Sequence, residues 1–482
     1  MHIFIYKHSR FAALGAIFAL GLAGCTSSNI VELDSKRHNA QIKSDIENIY
    51  RHRNTADILN LELDDAITMA LQNNLDARVT SVESLIAQDN VSLAEFQAMP
   101  NVTASGTYTR RSNDAASSSE SVLTGTQSLE PSTSADQSRR LADIEAQWNI
   151  IDAVIAYMDG QIASDRATIA QERLKKIKQN IEIDTINAYW RAYASQQSKQ
   201  NYLNLLKKGD VLQGNFEQAL NERLLSLDTV AERQKSVLDQ QQTITRLFED
   251  QDLSKIELKS LMTVPIEQEI YLTSKPNQFG TKFKKYKSMP VDNMVEMALV
   301  NRPELREIYL DGNISVQNTE RELIRTFPGL NIVYSKNYDS NSFLSDPTWI
   351  NFSAALSQSI TDFITLPTRY RAAKNQELLV EERRKALTAA IIAQVYIGKV
   401  RIELAENNYK HALKNENIAR RRTFTEVNKN NLGAASEYTQ YLAKATSVGA
   451  TTEKYIAFAE MQRAYIDLYR TLGVYTDSKV GV

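Results

Sequence analysis

Apolar residues recur along this chain with two periods, and the order of the periods is repeated. Residues 55–99 contain neither Gly nor Pro, and Leu63, Ala66, Ile67, Ala70 and Leu71 fall at helical spacing. The pattern predicts one helix, with Asp64 or Asp65 placed to suit its dipole and Pro100 ending it. The period then drops to two. Val102, Ala104, Gly106 and Tyr108 alternate with Thr103, Ser105, Thr107 and Thr109, which predicts a strand with one apolar and one polar face. Residues 112–138 are Ser-rich and patternless, an expected long exposed loop. Alternation returns with Ile144, Ala146, Trp148 and Ile150 against Asp143, Glu145, Gln147 and Asn149. Two stretches without Gly or Pro follow, 161–208 and 215–264. The first would reach roughly 70 Å as a helix. Leu174, Ile177 and Ile181 give it a narrow apolar stripe of coiled-coil type. Gly209 and Gly214 either interrupt or bend the helix, and the chain is expected to reverse near residues 224–227.

The same order returns over residues 291–470. A helix is expected over 291–327. A strand follows in which Leu330, Ile332 and Tyr334 alternate with Asn331, Val333 and Ser335, then a shorter loop over 339–347. In the next strand Ile350, Phe352, Ala354 and Leu356 alternate with Asn351, Ser353, Ala355 and Ser357. Long helices close the half, with a reversal at Leu432-Gly433. The repetition is also literal. ALQNNLDAR at 70–78 returns as ALVNRPELR at 298–306, and MPNV at 99–102 returns as FPGL at 327–330, both shifted by 228 residues. Two matches in one register indicate a duplication, with a period far too long for a solenoid.

The N-terminus changes the picture. Lys7 and Arg10 precede an apolar run at 11–22, too short for a comfortable span and read as a signal peptide. It ends in Leu22-Ala23-Gly24-Cys25, which resembles the bacterial lipobox and makes Cys25 the lipidated first residue of the mature chain. The alternative is a free buried thiol. Thr26 and Ser27 follow, with no Asp; by resemblance that favours the outer membrane. The expected organisation is a signal peptide (1–24), a lipidated extended tether (25–60), a first repeat (61–264), a linker rich in Pro and Lys (265–290), a second repeat (291–475) and a tail (476–482).

Composition excludes more than it assigns. The net charge of −2 over 482 residues gives no sign of a nucleic-acid partner. Five scattered His and one Cys supply no metal cluster, and no cofactor is expected. No glycine-rich phosphate loop or nucleophile motif is present, so an enzyme is not expected.

Four strands of about ten residues with one apolar face fit transmembrane β-strands, which need about 9–11 residues. A soluble sheet packed on helices is the alternative. Four strands cannot close a barrel, for which about eight is the working minimum. An open edge cannot face lipid. Membrane-spanning strands therefore require an oligomer, and helices longer than a bilayer is thick would project into the periplasm.

The duplication, the two repeat motifs, Pro100 and Pro328 at the strand entries, QWNIID at 147–152 and LYRTLG at 468–473 together resemble the TolC-like outer-membrane efflux family over nearly the whole mature chain. The resemblance implies an α+β membrane protein: a homotrimer in which each protomer gives four strands to a twelve-stranded barrel and long hairpins to a periplasmic α-barrel. It implies a conduit, not a catalyst, that meets a periplasmic adaptor and an inner-membrane pump and exports small molecules through the outer membrane. The exit duct of a type I protein-secretion system is an alternative, as is a lipid-tethered periplasmic coiled-coil scaffold with no pore.

Several residues are candidates for that work. Leu432, Gly433 and Ala434 look like the family's Gly-containing adaptor-docking tip; an ordinary turn glycine is the plainer reading. Leu224, Leu225 and Ser226 are their counterparts when Phe216 is aligned with Phe424, without the Gly. Asp228 and Glu437 lie just beyond the turns, where a threefold ring of carboxylates could close a gate; a solvated helix face competes with that. Arg420-Arg421-Arg422 and Arg383-Arg384-Lys385 read as salt-bridged helix surfaces. Trp148 and Trp349 are expected in an aromatic girdle or in core packing.

Overall fold

The computed structural model describes residues 35–50, 58–128, 130–274, 286–432 and 436–474. Cys25, the signal peptide, Gly433, Ala434 and the tail lie outside the described residues. The first half runs α1 (Ser35–Tyr50), β1 (Leu59–Leu61), α2 (Leu63–Asn73), α3 (Leu75–Phe96), β2 (Asn101–Arg110), β3 (Ala116–Ser117), β4 (Ser132–Thr133), β5 (Ser138–Asn149), α4 (Ile150–Asn221) and α5 (Leu227–Leu261). The second runs β6 (Ile270–Leu272), α6 (Val291–Asn301), α7 (Pro303–Ile324), β7 (Gly329–Asp339), β8 (Thr348–Ser357), α8 (Ile360–Asn431) and α9 (Glu437–Thr471).

The duplication is kept in element length. Helices α2 and α6 each have 11 residues, α3 and α7 have 22, α4 and α8 have 72, and α5 and α9 have 35. The shift is 228 residues from Leu63 to Val291 but 210 from Ile150 to Ile360. The difference is the surplus of the first half's loop between β2 and β5, which also carries the small β3–β4 hairpin. At about 1.5 Å per residue, α4 and α8 are each about 110 Å long.

The signature repeat is a helix break, not the middle of one helix. The helix expected over 55–99 ends at Asn73, and Asn74 caps the next by accepting from the N–H groups of Asp76 (2.9 Å) and Ala77 (3.3 Å). The helix expected over 291–327 breaks at Arg302, where Pro303 takes the first helical position and needs no amide partner. Gly209, by contrast, does not interrupt α4. A Cβ there would sit 2.8 Å from the Tyr441 hydroxyl, so the glycine lets α4, α5 and α9 close on one another. One other expectation is corrected. Residues 35–50 form a helix, exposed over 37–49, where an extended tether was expected. The linker contributes β6, which pairs in parallel with β1 and buries Ile270 and Leu272.

The main core lies where those short strands meet the middles of the long helices. Tyr189 and Trp190 of α4 are fully buried there among Leu61, Leu258, Met262, Leu272, Met294 and Ile466. Trp190 meets Phe458 of α9 edge-on at 5.0 Å. The Tyr189 hydroxyl donates to the Leu61 carbonyl (2.9 Å) and accepts from the Ser274 N–H (3.1 Å), tying the β1–β6 layer to α4. A second core of Tyr202, Leu212, Phe216, Val237, Phe248 and Tyr441 holds α4, α5 and α9 together toward the helix tips.

Candidate conduit: a two-faced sheet, two open edges and two helix tips

Strands β2, β5, β7 and β8 form one antiparallel sheet in that order. Residues opposite one another share a face, so the register sorts the side chains. One face carries the rows Val102–Ala146–Tyr334–Phe352 and Ala104–Ile144–Lys336–Ile350, with Trp148–Ile332–Ala354 and Leu330–Leu356 nearer the helices. The other carries Thr103–Glu145–Ser335–Asn351 and Ser105–Asp143–Asn337–Trp349.

Burial is inverted relative to a soluble sheet. On the apolar face Val102 is 65% exposed, Phe352 66% and Leu356 71%, whereas Ser335 and Asp339 on the polar face are each 3% exposed. The polar face also holds its own pairs: Arg139 with Asp339, Ser105 with Asp143, and Asn149 with Asn331 at 2.9 Å. The more closed polar positions lie on the central strands β5 and β7, whereas β2 and β8 are exposed on both faces. An open apolar face backed by a polar one is suited to an apolar solvent outside and water inside.

The two tryptophans fall on opposite faces. Trp148 is on the apolar face near the helical end, its indole N–H donating to the Ala98 carbonyl at 3.1 Å. Trp349 pairs with Asn337 on the polar face, because it shares the parity of Asn351 and Ser353. An outward girdle therefore cannot include Trp349; Tyr108 and Tyr338 stand on the apolar face toward the loop end.

The sheet ends in unpaired edges on β2 and β8, and the helices end in the same order. Helix α3 packs on α4, α4 on α7, and α7 on α8. Each edge helix exposes an apolar stripe: Val79, Val82, Leu85, Ile86 and Leu93 on α3, and Phe363, Ile364, Leu379, Val400 and Leu404 among others on α8. Twenty-five residues of α4 are buried against seven of α8, although the two helices are equally long. The chain is thus a wall with two different open edges.

At the far end the helix pairs turn. After α4, Arg223 takes a left-handed conformation (φ 58°), Leu224 is exposed, and Leu225 tucks against the second core. Ser226 accepts from the Thr229 N–H at 3.3 Å, and Ser436 does the same for Thr439 at 3.3 Å. These two caps, 210 residues apart, set the true correspondence of the tips. It corrects the alignment through Phe216 and Phe424: Ser226 matches Ser436, and Leu224 matches Ala434. The recurring S-x-x-T spacing in SLDT and SEYT was the available signal. Asp228 and Glu437 both lie in exposed first turns, but at non-equivalent positions. Asn215 of α4 donates to Glu437 at 3.5 Å. Arg420 lies 4.0 Å from the buried Glu416, and Lys385 pairs with Glu381 and Glu382 on an exposed helix surface.

Among the described residues no helix is long and apolar enough to cross a membrane, and no group of His, Cys, Asp or Glu could hold a metal ion. No protein-family model matches the chain, and no curated protein matches its sequence. Solved structures do match. The CmeC outer-membrane channel of Campylobacter jejuni aligns with a TM-score of 0.68 at 10% identity, covering 85% of this chain and 85% of that one. The open state of the MtrE outer-membrane channel of Neisseria gonorrhoeae gives 0.64 at 13% identity over 86% and 89%. The outer-membrane protein VceC of Vibrio cholerae gives 0.61 at 14% identity over 86% and 96%. The chain has the fold of the TolC-like outer-membrane channels, mostly helical, with long hairpins and four antiparallel strands.

Proposed function

We propose that this chain is a non-enzymatic outer-membrane exit duct that works as a homotrimer and exports small molecules. The observation that carries the reading is the inverted sheet with two unpaired edges. Four strands per copy give twelve in a trimer, enough to close a barrel and remove every edge. The exposed stripes of α3 and α8 meet in the same closure and extend it as a helical tube into the periplasm. Cys25, as the acylated residue, anchors the chain to the outer membrane. A periplasmic adaptor, joined to an inner-membrane pump, docks at the tips around Leu224, Leu225, Ser226, Leu432, Gly433 and Ala434. Asp228 and Glu437, each present three times around the axis, narrow the tip and draw cations to it. The test is retention of a fluorescent pump substrate by cells lacking this gene. Retention should rise and return to normal on complementation; unchanged retention, with secretion of a protein lost instead, would replace small-molecule efflux by protein export.

A further inference from the structure

We propose that a groove near the helix tips, between α4, α8 and α9, binds a small solute carrying two or more phosphate or carboxylate groups. The groove has a volume of about 730 Å³ and is lined by Lys207 and Lys208 of α4, Glu416 and Arg420 of α8, and Lys444 and Lys454 of α9. Five cations thus face one carboxylate on a chain whose net charge is −2, so the excess belongs to the groove and not to the protein as a whole.

The single acid is already engaged. Glu416 is buried and accepts from Lys454 at 3.0 Å, and the Lys454 ammonium also lies 4.2 Å from the centre of the Tyr455 ring. Lys208 and Lys444 line the same wall, close enough for the Lys208 ammonium to act on Lys444. Burial, and then the Lys208 ammonium, hold the Lys444 pKa below the ordinary lysine value. A concave, partly desolvated wall of one sign focuses the field on whatever enters it. Asn201, Asn204, Ser447 and Thr451 add neutral donors along the same wall. A diphosphate or a small polycarboxylate bridging Lys208 and Lys444 would turn their repulsion into two charge-assisted contacts. Lys208 stands 13 residues before the end of α4, about 20 Å from the turn. The inference does not depend on whether the sheet spans a membrane.

The test is isothermal titration of the full-length protein in detergent with inorganic pyrophosphate at low ionic strength. We expect saturable binding at one site per protomer, weakened at least tenfold by Lys208→Gln with Lys444→Gln. Retention of binding by Lys208→Arg with Lys444→Arg would separate lost charge from lost fold. Lys235→Gln, which removes an exposed lysine near Asp239 on α5, should change nothing. The absence of saturable binding overturns the proposal. So does equal binding by the double glutamine variant. So does a groove filled by acidic side chains of an adjacent copy, in which pyrophosphate fails to bind and the double glutamine variant loosens the oligomer.

Discussion

Phe352→Arg separates a membrane-facing sheet from a soluble one. Phe352 lies on the apolar face in the third of five rows counted from the helical end, from Leu330–Leu356 up to Gly106–Ala142–Tyr338–Thr348. Rows are two residues apart, about 6.7 Å, so the five rows, apolar except for Lys336 in the fourth and Thr348 in the fifth, run about 27 Å along the strands. At a tilt of about 45° that is about 20 Å of height, near the thickness of such bands. Row three is therefore mid-membrane, where a new arginine costs about 2–4 kcal/mol per copy. Across the three copies of the proposed trimer that is about 6–12 kcal/mol. If the sheet faced water, the same change at a side chain already 66% exposed would fall within about 0.5 kcal/mol of neutral. The assay is urea-dependent folding into lipid vesicles, with Asn351→Arg beside it. Asn351 is the next residue but faces the polar side. Phe352→Arg should fail to insert or insert at much lower urea, whereas Asn351→Arg should insert like the parent. Equal insertion of Phe352→Arg and the parent would refute the reasoning.

Other expected outcomes follow from single contacts. Gly473→Ala places a Cβ 2.7 Å from the Asn301 carbonyl carbon at a residue with φ 65°, and should destabilise the chain by about 1–3 kcal/mol in thermal melts. Tyr189→Phe strips the Ser274 N–H of its acceptor and should cost about 1–3 kcal/mol by the same measure. Because burial and Lys208 lower the Lys444 pKa below 10.5, the unfolded chain binds more protons between the two values, and stability rises with pH in that interval. Lys444→Gln should therefore stabilise the chain at neutral pH. That advantage should vanish as pH rises through 10.5, as chemical denaturation at several pH values would show.

Much of this architecture was legible because long-range order repeats itself in short-range pattern. The strand faces read directly from the alternation of Val102 to Thr109 and of Ile350 to Ser357, since a strand of ten residues leaves little doubt about parity. Trp349 was misplaced by attending to residue type when its parity already set its face. The breaks at Asn74 and Arg302 were hidden because the apolar spacing of Ala66, Ile67 and Ala70 continues through to Ala77, and a single Asn cap does not disturb it. Pro303 was the stronger clue. Strands β1 and β6 have three residues each and pair across the whole first repeat, too short and too distant for any local period. The tip alignment failed for a different reason: pairing Phe216 with Phe424 sets a shift of 208, two residues short of the 210 that the helix starts and the Ser226 and Ser436 caps share. The exposed stripes of α3 and α8 were present as spacing, but a stripe does not say whether its partner is the same chain or another copy.

The central claim is that copies of this chain close a water-filled duct, and single-channel recording in a planar bilayer addresses it most directly. The purified protein should give discrete conductance steps, and Asp228→Asn or Glu437→Gln should enlarge them. A protein that inserts and forms an oligomer yet passes no ions would contradict the duct.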